Sequence, residues 1–226
     1  MNESEVMNTD IQDNSVINTI RKICYLTIKR IFDRICAIIG CIFLIPLVII
    51  IKICYMVTGD FTSIIYTHNR IGKNGKIFKL YKFRSMVPNA DKILEDMLKD
   101  KEIEKIYKKN MKLPNDPRIT KIGKIIRKAS IDETPQFINV LIGNMSMIGN
   151  RPYLPREIDD IGKYYDDIVS TKPGLTGYWQ VAGRSKISFK DRLKLESYYS
   201  NNCSILMDIK IFFKTFSVVL FGRGAE

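Results

Sequence analysis

Two adjacent carboxylates, Asp132 and Glu133, are the residues of this 226-residue chain whose types and spacing best suit chemistry. Cations surround them along the sequence, at Arg118, Lys121, Lys124, Arg127, Lys128 and Arg151. Carboxylates within a basic collar are typical of a site that holds a divalent cation and phosphate oxygens together. The pair also fits the acidic first turn of an ordinary helix, with Thr134 as N-cap and Pro135 as the first helical residue. The local pattern leaves both interpretations open.

The charge of the chain indicates an anionic partner. The formal net charge is +12, although the first 20 residues contain four acidic residues and no lysine or arginine. A basic body of this kind suits phosphates, anionic lipid headgroups or nucleic acid. We expect no nucleic-acid partner, because the basic residues are not interleaved with exposed aromatic residues on a predicted sheet. The five cysteines show no Cys-x-x-Cys spacing, which argues for a reducing, cytosolic environment and against a structural zinc site.

An apolar segment near the N-terminus is short for a simple membrane-spanning helix. Residues 35–51 carry no charge, and a straight helix of this length reaches about 25 Å, less than a hydrocarbon core of about 30 Å. Pro46, near its middle, removes a helix hydrogen bond and bends the axis. Basic residues flank both ends, which favours keeping both in the cytoplasm. These facts predict a re-entrant helix-break-helix, with a proline-kinked spanning helix and a buried core helix as alternatives.

The remaining sequence predicts a mainly α fold with a small β-hairpin (α+β). Asn74-Gly75 is a strong hairpin turn signal between two apolar and aromatic runs. Amphipathic patterns predict helices over 91–109, 157–169, 188–199 and 205–220. We expect the first to present a solvated face, with a face resting on lipid headgroups as the alternative. A core helix and a membrane-surface helix are equal alternatives for the last. A short buried helix over 137–142 is expected to end at Gly143. The only histidine, His68, lies near the turn, and we expect it to be a surface or packing residue rather than a base.

Several spaced motifs occur in a fixed order. They are Lys82-Phe83-Arg84-Ser85-Met86, Asn115-Asp116-Pro117-Arg118, Ser130-Ile131-Asp132-Glu133, Gly149-Asn150-Arg151-Pro152 and Lys172-Pro173-Gly174-Leu175-Thr176-Gly177. With them the chain resembles, over roughly residues 25–220, the bacterial sugar transferases that are monotopic phosphoglycosyl transferases. It departs from the usual pattern of that family at Ile45, Thr134, Asn144, Asn150 and Glu196. Asn150 stands where the family has a proline, and Glu196 where it often has aspartate.

The resemblance implies an enzyme that transfers a sugar 1-phosphate from a UDP-sugar to undecaprenyl phosphate and releases UMP. A hexose is the first expectation for the sugar. Such enzymes initiate capsule or exopolysaccharide synthesis. By the same resemblance Asp132 is the nucleophile that forms a phosphosugar-aspartyl intermediate, Glu133 holds Mg²⁺, and Arg151 holds phosphate oxygens; whether Asp132 also binds the metal is left open. An aspartate near its ordinary pKa of about 3.9 is ionised at neutral pH and needs no base. Mg²⁺ and the arginines would ease its approach to a diphosphate.

Other cations are further candidates for contacts with substrate phosphates, with a structural or headgroup-facing role as the alternative for each. They are Lys82, Arg84, Arg118, Arg127 and Arg184. The resemblance implies the minimal catalytic form of the family, at the cytoplasmic face of the bacterial plasma membrane and embedded in the inner leaflet. Its predicted regions are a disordered acidic tail (1–16), a re-entrant membrane helix with its lead-in (17–58) and a cytosolic catalytic domain lying on the membrane (59–226). A homodimer is left open, and the alternative function is a non-catalytic, basic, membrane-tethered scaffold.

Overall fold

The computed structural model describes residues 3–110, 113–183 and 187–220. It is mainly helical with one antiparallel hairpin, as the sequence predicts. The helices are α1 (Glu3–Val57), α2 (Ala90–Met97), α3 (Lys101–Asn110), α4 (Lys121–Lys128), α5 (Gln136–Leu141), α6 (Ile158–Ile161), α7 (Tyr165–Ser170), α8 (Tyr178–Ala182), α9 (Phe189–Asn202) and α10 (Ile205–Leu220). The strands are β1 (Ile65–Ile71), β2 (Ile77–Phe83), β3 (Ser146–Ile148) and β4 (Gly174–Thr176).

The long helix α1 contains the apolar segment. Helical backbone continues through Pro46, so the interruption expected there is not confirmed. By length and composition alone, Thr19–Val57 is one helix that could cross a membrane. The backbone is already helical from Glu3, within the stretch for which the sequence predicts a disordered tail. The division of the chain into three regions stays a prediction.

One side of α1 packs on the rest of the protein. Ala37, Leu44, Ile51 and Tyr55 are buried at helical spacing, and a Cβ on Gly40 would lie only 2.4 Å from the ring of Phe137 in α5. The opposite side exposes many large apolar side chains, which in the central part of the helix are Ile35, Ile38, Ile39, Ile42, Phe43, Ile45, Ile49 and Ile50. A continuous exposed apolar band of this size is typical of a surface that contacts a membrane or a partner.

Hydrogen bonds connect both ends of the apolar segment to the following domain. The buried carboxylate of Asp33 accepts from the Met147 amide (2.9 Å) and the Ser146 hydroxyl (3.0 Å) of β3. At the other end the Tyr55 hydroxyl donates to the Arg84 carbonyl at 2.5 Å. Buried polar groups require partners of this kind. The two ends of the segment are therefore held by the same domain.

The hairpin and a second small sheet position the loops that carry the sequence motifs. In the hairpin Tyr66 pairs with Lys82 and Arg70 with Phe78; its turn contains Asn74 with φ 55° and Gly75 with φ 74°, which confirms the predicted turn. The second sheet, in which β3 and β4 run parallel, is not apparent from the sequence. Its three-residue strands are too short to show a periodicity of two.

The predicted helices are partly corrected. The helices over 188–199 and 205–220 are confirmed as α9 and α10, and the 137–142 helix as α5, which Gly143 follows with φ 87°. The single helix expected over 91–109 is wrong, because the Asp100 carboxylate accepts from the Glu102 amide and starts α3 as a separate helix. The helix expected over 157–169 is also interrupted, at Gly162, whose φ of 55° is incompatible with a continuous helix.

Candidate active site

Asp132 and Glu133 lie on a 3-10 helix, Ile131–Glu133, between α4 and α5. Ser130, with φ 55°, turns the chain from the end of α4 into this helix. The predicted N-cap at Thr134 is wrong: its hydroxyl donates to the Ile131 carbonyl at 2.8 Å, and α5 begins only at Gln136. A six-residue helix also offers little dipole. The charge near the pair therefore comes from side chains.

Lys82 of β2 makes the closest charged contact to the pair. Its Nζ lies 2.7 Å from Oε1 of Glu133, whose side chain is 45% exposed. Burial acts to raise the pKa of Glu133, but Lys82, with Arg151 and Arg70, outweighs it and holds this pKa below its ordinary value. Burial raises the pKa of Asp132, as does the Glu133 carboxylate, against the opposing effect of Lys82 and Arg127. The environment thus separates the two carboxyl groups, a pattern found where neighbouring acids have different roles.

A cleft opens beside this ion pair. The space between its walls, which is open to solvent, is about 420 Å³. It is lined by Lys82, Glu133 and Arg151 together with Arg70, Leu80, Gln136, Pro152, Gly174, Leu175, Trp179 and Gln180. The structure therefore brings three of the sequence-predicted site residues into one concave surface.

The loop that carries Arg151 is fixed from behind by a buried carboxyl group. Glu196 of α9, 1% exposed, accepts from the Arg151 amide (2.9 Å) and from the Tyr153 hydroxyl (2.6 Å). Burial raises the pKa of Glu196 to about 7. Asn150, in place of the family's proline, donates from its side chain to the Ser200 hydroxyl at 2.7 Å and to the Ile168 carbonyl at 3.2 Å. The amide of Asn150 thus ties the loop to α9 and α7.

Two of the remaining predicted cations lie in internal ion pairs. Arg84 contacts Asp60 at 2.8 Å and also donates to the carbonyls of Ser63 and Met86. Arg118 forms a two-point ion pair with Asp116, at 2.9 and 2.7 Å, and is buried. These pairs occupy most of both guanidinium groups. The structure does not bring either into the cleft, and their contact with substrate stays a prediction.

The last two predicted cations are Arg127 and Arg184. Arg127, at the end of α4, donates to the Ser85 hydroxyl at 2.8 Å and is close enough to act on the pKa of Asp132. Arg184 lies outside the described residues.

Sequence reasoning missed Arg70, His68 and Trp179. Arg70 and Trp179 line the cleft, and His68 is close enough to Arg70, Lys82 and Arg151 for these cations to lower its pKa. The sequence does contain a pattern that could have indicated Arg70 and His68. Once the hairpin is placed, alternate residues of β1 share a face with Lys82 of β2.

The donor set of the site fits magnesium. Within the described part of the chain no cluster of three or more histidine, cysteine, aspartate or glutamate side chains could hold a metal ion. Mg²⁺ does not need such a cage, because it is usually bound by one or two carboxylates together with substrate phosphates. Asp132 and Glu133 beside a basic cleft provide that combination.

The sequence matches the model of the bacterial sugar transferase family over residues 24–222. The chain belongs to this family. An undecaprenyl-phosphate galactose phosphotransferase of Salmonella typhimurium is 43% identical over 98% of this chain and 45% of its own length. The galactosyl transferase CpsE of Streptococcus agalactiae is 44% identical over 91% of this chain and 45% of its own length. The exopolysaccharide production protein ExoY of Sinorhizobium fredii is 38% identical over 87% of both chains.

The chain spans about half the length of the Salmonella and Streptococcus relatives and most of ExoY. The match to the sugar transferase family confirms the resemblance drawn from the motifs. It does not test the roles of single residues.

Proposed function

We propose that this sugar transferase transfers a hexose 1-phosphate from a UDP-sugar to undecaprenyl phosphate and releases UMP, as an initiating step of exopolysaccharide or capsule synthesis. The observation that carries the proposal is the cleft in which Lys82 and Arg151 lie together with Glu133, the neighbour of Asp132 in the chain. Support for the substrates comes from the names of relatives, which describe phosphotransferases acting on undecaprenyl phosphate with galactose or, in an Aeromonas hydrophila protein 33% identical, UDP-N-acetylgalactosamine.

Asp132 is proposed as the nucleophile. Its carboxylate oxygen attacks the sugar-bearing phosphorus, the bond from that phosphorus to the bridging oxygen breaks, and UMP leaves with the electron pair. A phosphate oxygen of undecaprenyl phosphate then attacks the same phosphorus and releases Asp132 as a carboxylate. A raised pKa makes the ionised Asp132 a more basic oxygen and hence a stronger nucleophile. One covalent intermediate lets a water-soluble donor and a lipid acceptor use the site in turn.

Glu133, Lys82 and Arg151 are proposed to reduce the repulsion between the Asp132 carboxylate and the negatively charged diphosphate of the donor. Lys82 keeps Glu133 ionised and oriented, and Arg151 presents its guanidinium to the diphosphate from a loop fixed by Glu196. Mg²⁺, bound through Glu133 and open to Asp132, would supply positive charge to the phosphate oxygens. These contacts offset the repulsion between a carboxylate and a diphosphate.

We propose further that α1 enters the inner leaflet from the cytoplasmic side and returns, with a bend at Pro46. The support is that Asp33 and Tyr55, on either side of Pro46 in the chain, bind the same domain, and that the outward side of the segment is apolar. A cysteine at residue 17 and one at residue 59, each in a chain with its native cysteines replaced, should both resist a membrane-impermeant thiol reagent in intact cells. Labelling of one of the two from outside would favour a spanning helix.

The catalytic proposal is tested by UMP release from a panel of UDP-sugars with undecaprenyl phosphate and Mg²⁺. Asp132→Asn should reduce release to background while the protein remains folded and membrane-bound, and Asp159→Asn, an exposed acid of α6, serves as the matched control. Mass spectrometry of peptides from the wild type, quenched with donor and no acceptor, should locate a hexose phosphate on Asp132. Normal UMP release by Asp132→Asn would refute the mechanism, and a wild type that binds membranes but never releases UMP would favour the scaffold alternative.

A further inference from the structure

One face of the hairpin turns polar side chains towards the cleft. Tyr66, His68 and Arg70 alternate along β1 and therefore share a face. Across the ladder, Tyr66 pairs with Lys82, the residue that contacts Glu133. We define the hairpin face as Tyr66, His68, Arg70 and Lys82. It continues the cleft away from the two carboxylates.

Buried polar atoms without a partner gather at this face. Among the described residues, five buried side-chain atoms have no hydrogen-bond partner, and they include Nε2 of His68 and the Nε atoms of Arg70 and Arg151. Arg70 is only 9% exposed, and its one hydrogen bond to the Pro152 carbonyl (2.9 Å) leaves Nε unused. A buried donor without a partner costs about 1–3 kcal/mol. A bound group with several acceptor oxygens would satisfy all three of these atoms.

The charges at the hairpin face identify the ligand as an anion. Burial, together with Arg70, Lys82, Arg151 and Arg156, lowers the pKa of His68 to about 3, so its ring is neutral. Burial and Arg151 lower the pKa of Arg70 to about 10, and Glu157, 3.8 Å away, counters this only in part. The Glu133 carboxylate is already paired with Lys82. The surplus of positive charge therefore suits a group with two negative charges.

The position of the hairpin face favours the donor over the lipid acceptor. Phe78 and Leu80, the cross-strand partners of Arg70 and His68, pack at the base of this face in a cluster with Ala37 of α1. The side chain of Arg70 instead reaches the Pro152 carbonyl and Glu157, beside a cluster of Tyr153, Ile161 and Leu193 that contains no residue of α1. The α4 side of the site, where Arg127 lies, packs instead through Ile126 on Leu44 and Ile51 of the apolar segment. A lipid phosphate should approach from the side of the apolar segment, and a water-soluble nucleotide from the other.

We propose that the hairpin face, together with Arg151, binds a phosphate group of the nucleoside-diphosphate-sugar donor, with Arg70 and neutral His68 donating from their unused Nε and Nε2 positions. The proposal rests on the proposed function and adds Arg70 and His68 to the donor site. It assigns the acceptor phosphate to the opposite, α4 side.

The first test is kinetic. Arg70→Gln should raise KM for the UDP-sugar about ten- to a hundredfold, the effect of losing one charged hydrogen bond, and leave KM for undecaprenyl phosphate within about twofold. His68→Phe, which keeps a flat ring and removes the donor, should raise the same KM by a smaller factor. Lys79→Gln, on the other face of the same hairpin and exposed, is the matched control. Its KM values should equal those of the wild type.

The second test uses the fact that His68 is the only histidine. In full-length protein carrying ¹⁵N-histidine, purified with a histidine-free tag, addition of UMP or UDP should shift the imidazole nitrogen signals, and Arg70→Gln should weaken that binding at least tenfold. Inorganic phosphate at the same concentration should bind more weakly, and a short-chain polyprenyl phosphate should leave the signals unchanged. This measurement needs no turnover and remains informative if Arg70→Gln folds poorly, because it can be made on the wild type alone.

The outcomes are distinct. If the wild type releases UMP but Arg70→Gln and His68→Phe keep the wild-type donor KM, the hairpin face is not the donor site and the proposed function stands. If the lipid KM rises instead, the phosphate assignment is wrong. If the wild type releases no UMP, the proposed function fails. If the nitrogen signals of His68 also stay unchanged when UMP or UDP is added, the donor site is refuted as well.

Discussion

The buried carboxyl group of Glu196 should make the stability of the protein depend on pH in a way that one substitution removes. Glu196 accepts hydrogen bonds from the Arg151 amide and the Tyr153 hydroxyl, yet burial raises its pKa to about 7. Its ordinary value is 4.5. The folded protein therefore binds this proton more tightly than the unfolded chain, and stability must fall as pH rises through the interval between the two values.

The size of the effect follows from that interval. At about 1.4 kcal/mol for each pKa unit, a change from 4.5 to about 7 amounts to about 3 kcal/mol. Below pH 4.5 the group is protonated in both states and contributes no penalty. Above pH 7 it is ionised in both, and the full cost of about 3 kcal/mol remains. Glu196→Gln keeps the shape and an acceptor oxygen but cannot ionise.

The comparison of the variant with the wild type isolates this group. His68 titrates with the opposite sign, because its pKa falls from 6.5 to about 3 and stability then rises with pH over that range. The wild-type curve alone would mix the two effects. The difference in unfolding free energy between wild type and Glu196→Gln, measured by denaturant titration in detergent with the fluorescence of the single tryptophan, should change by about 3 kcal/mol in favour of the variant from pH 4 to pH 8. Parallel curves would refute the raised pKa.

Three further predictions concern packing and charge. Gly40→Val should lower the thermal midpoint, because a Cβ there would lie 2.4 Å from the Phe137 ring and overpacking costs about 1–3 kcal/mol. Lys82→Met should let the lowered pKa of Glu133 rise, move the acid limb of the kcat/KM profile to higher pH and reduce kcat/KM at least about tenfold. Arg84→Lys, which loses contacts to carbonyls and to a carboxylate, should lower stability and leave donor KM unchanged.

Each of these has a control and a contrary outcome. Ile39→Val, on the exposed side of α1, should leave the thermal midpoint unchanged, and an equal drop for both positions would contradict the contact with α5. Lys79→Met, on the exposed face of the hairpin, should leave the pH profile of the wild type intact. If the Arg84→Lys protein had normal stability and a raised KM for the donor, Arg84 would be a substrate contact.

The fold was predictable where local chemistry decides it. Asn74-Gly75 specified the hairpin turn because both residues adopt positive φ, and Ser188 accepts from the Asp191 amide at the start of α9, as a capping residue should. Thr134 failed as a cap because the chain was already helical at Ile131. The β3–β4 pair was not predictable, since it depends on the close approach of Gly149 and Gly174 in three dimensions.

The candidate site was predictable in its carboxylates and only partly in its cations. Arg84 and Arg118 match motifs as well as Lys82 does, and only the structure separates them, because Asp60 and Asp116 lie beside the first two. A basic residue in a motif can serve the fold or the substrate, and the sequence does not contain the tertiary contact that decides. Arg70 was overlooked for the converse reason, since its role depends on the face it shares with Lys82 across the strand ladder.

The proposed separation of roles between Asp132 and Glu133 is supported by the position of Lys82. Two neighbouring carboxylates in similar surroundings would titrate as a pair, and either could attack. Here Lys82 reaches Glu133 at 2.7 Å, which occupies that oxygen and lowers its pKa. Asp132 has no direct ion pair within the described residues, and burial keeps its pKa high. The group with the free and more basic oxygen is the better nucleophile, while the group held ionised is the better place for positive charge. The proposed mechanism therefore depends on Lys82, which β2 of the hairpin places beside Glu133.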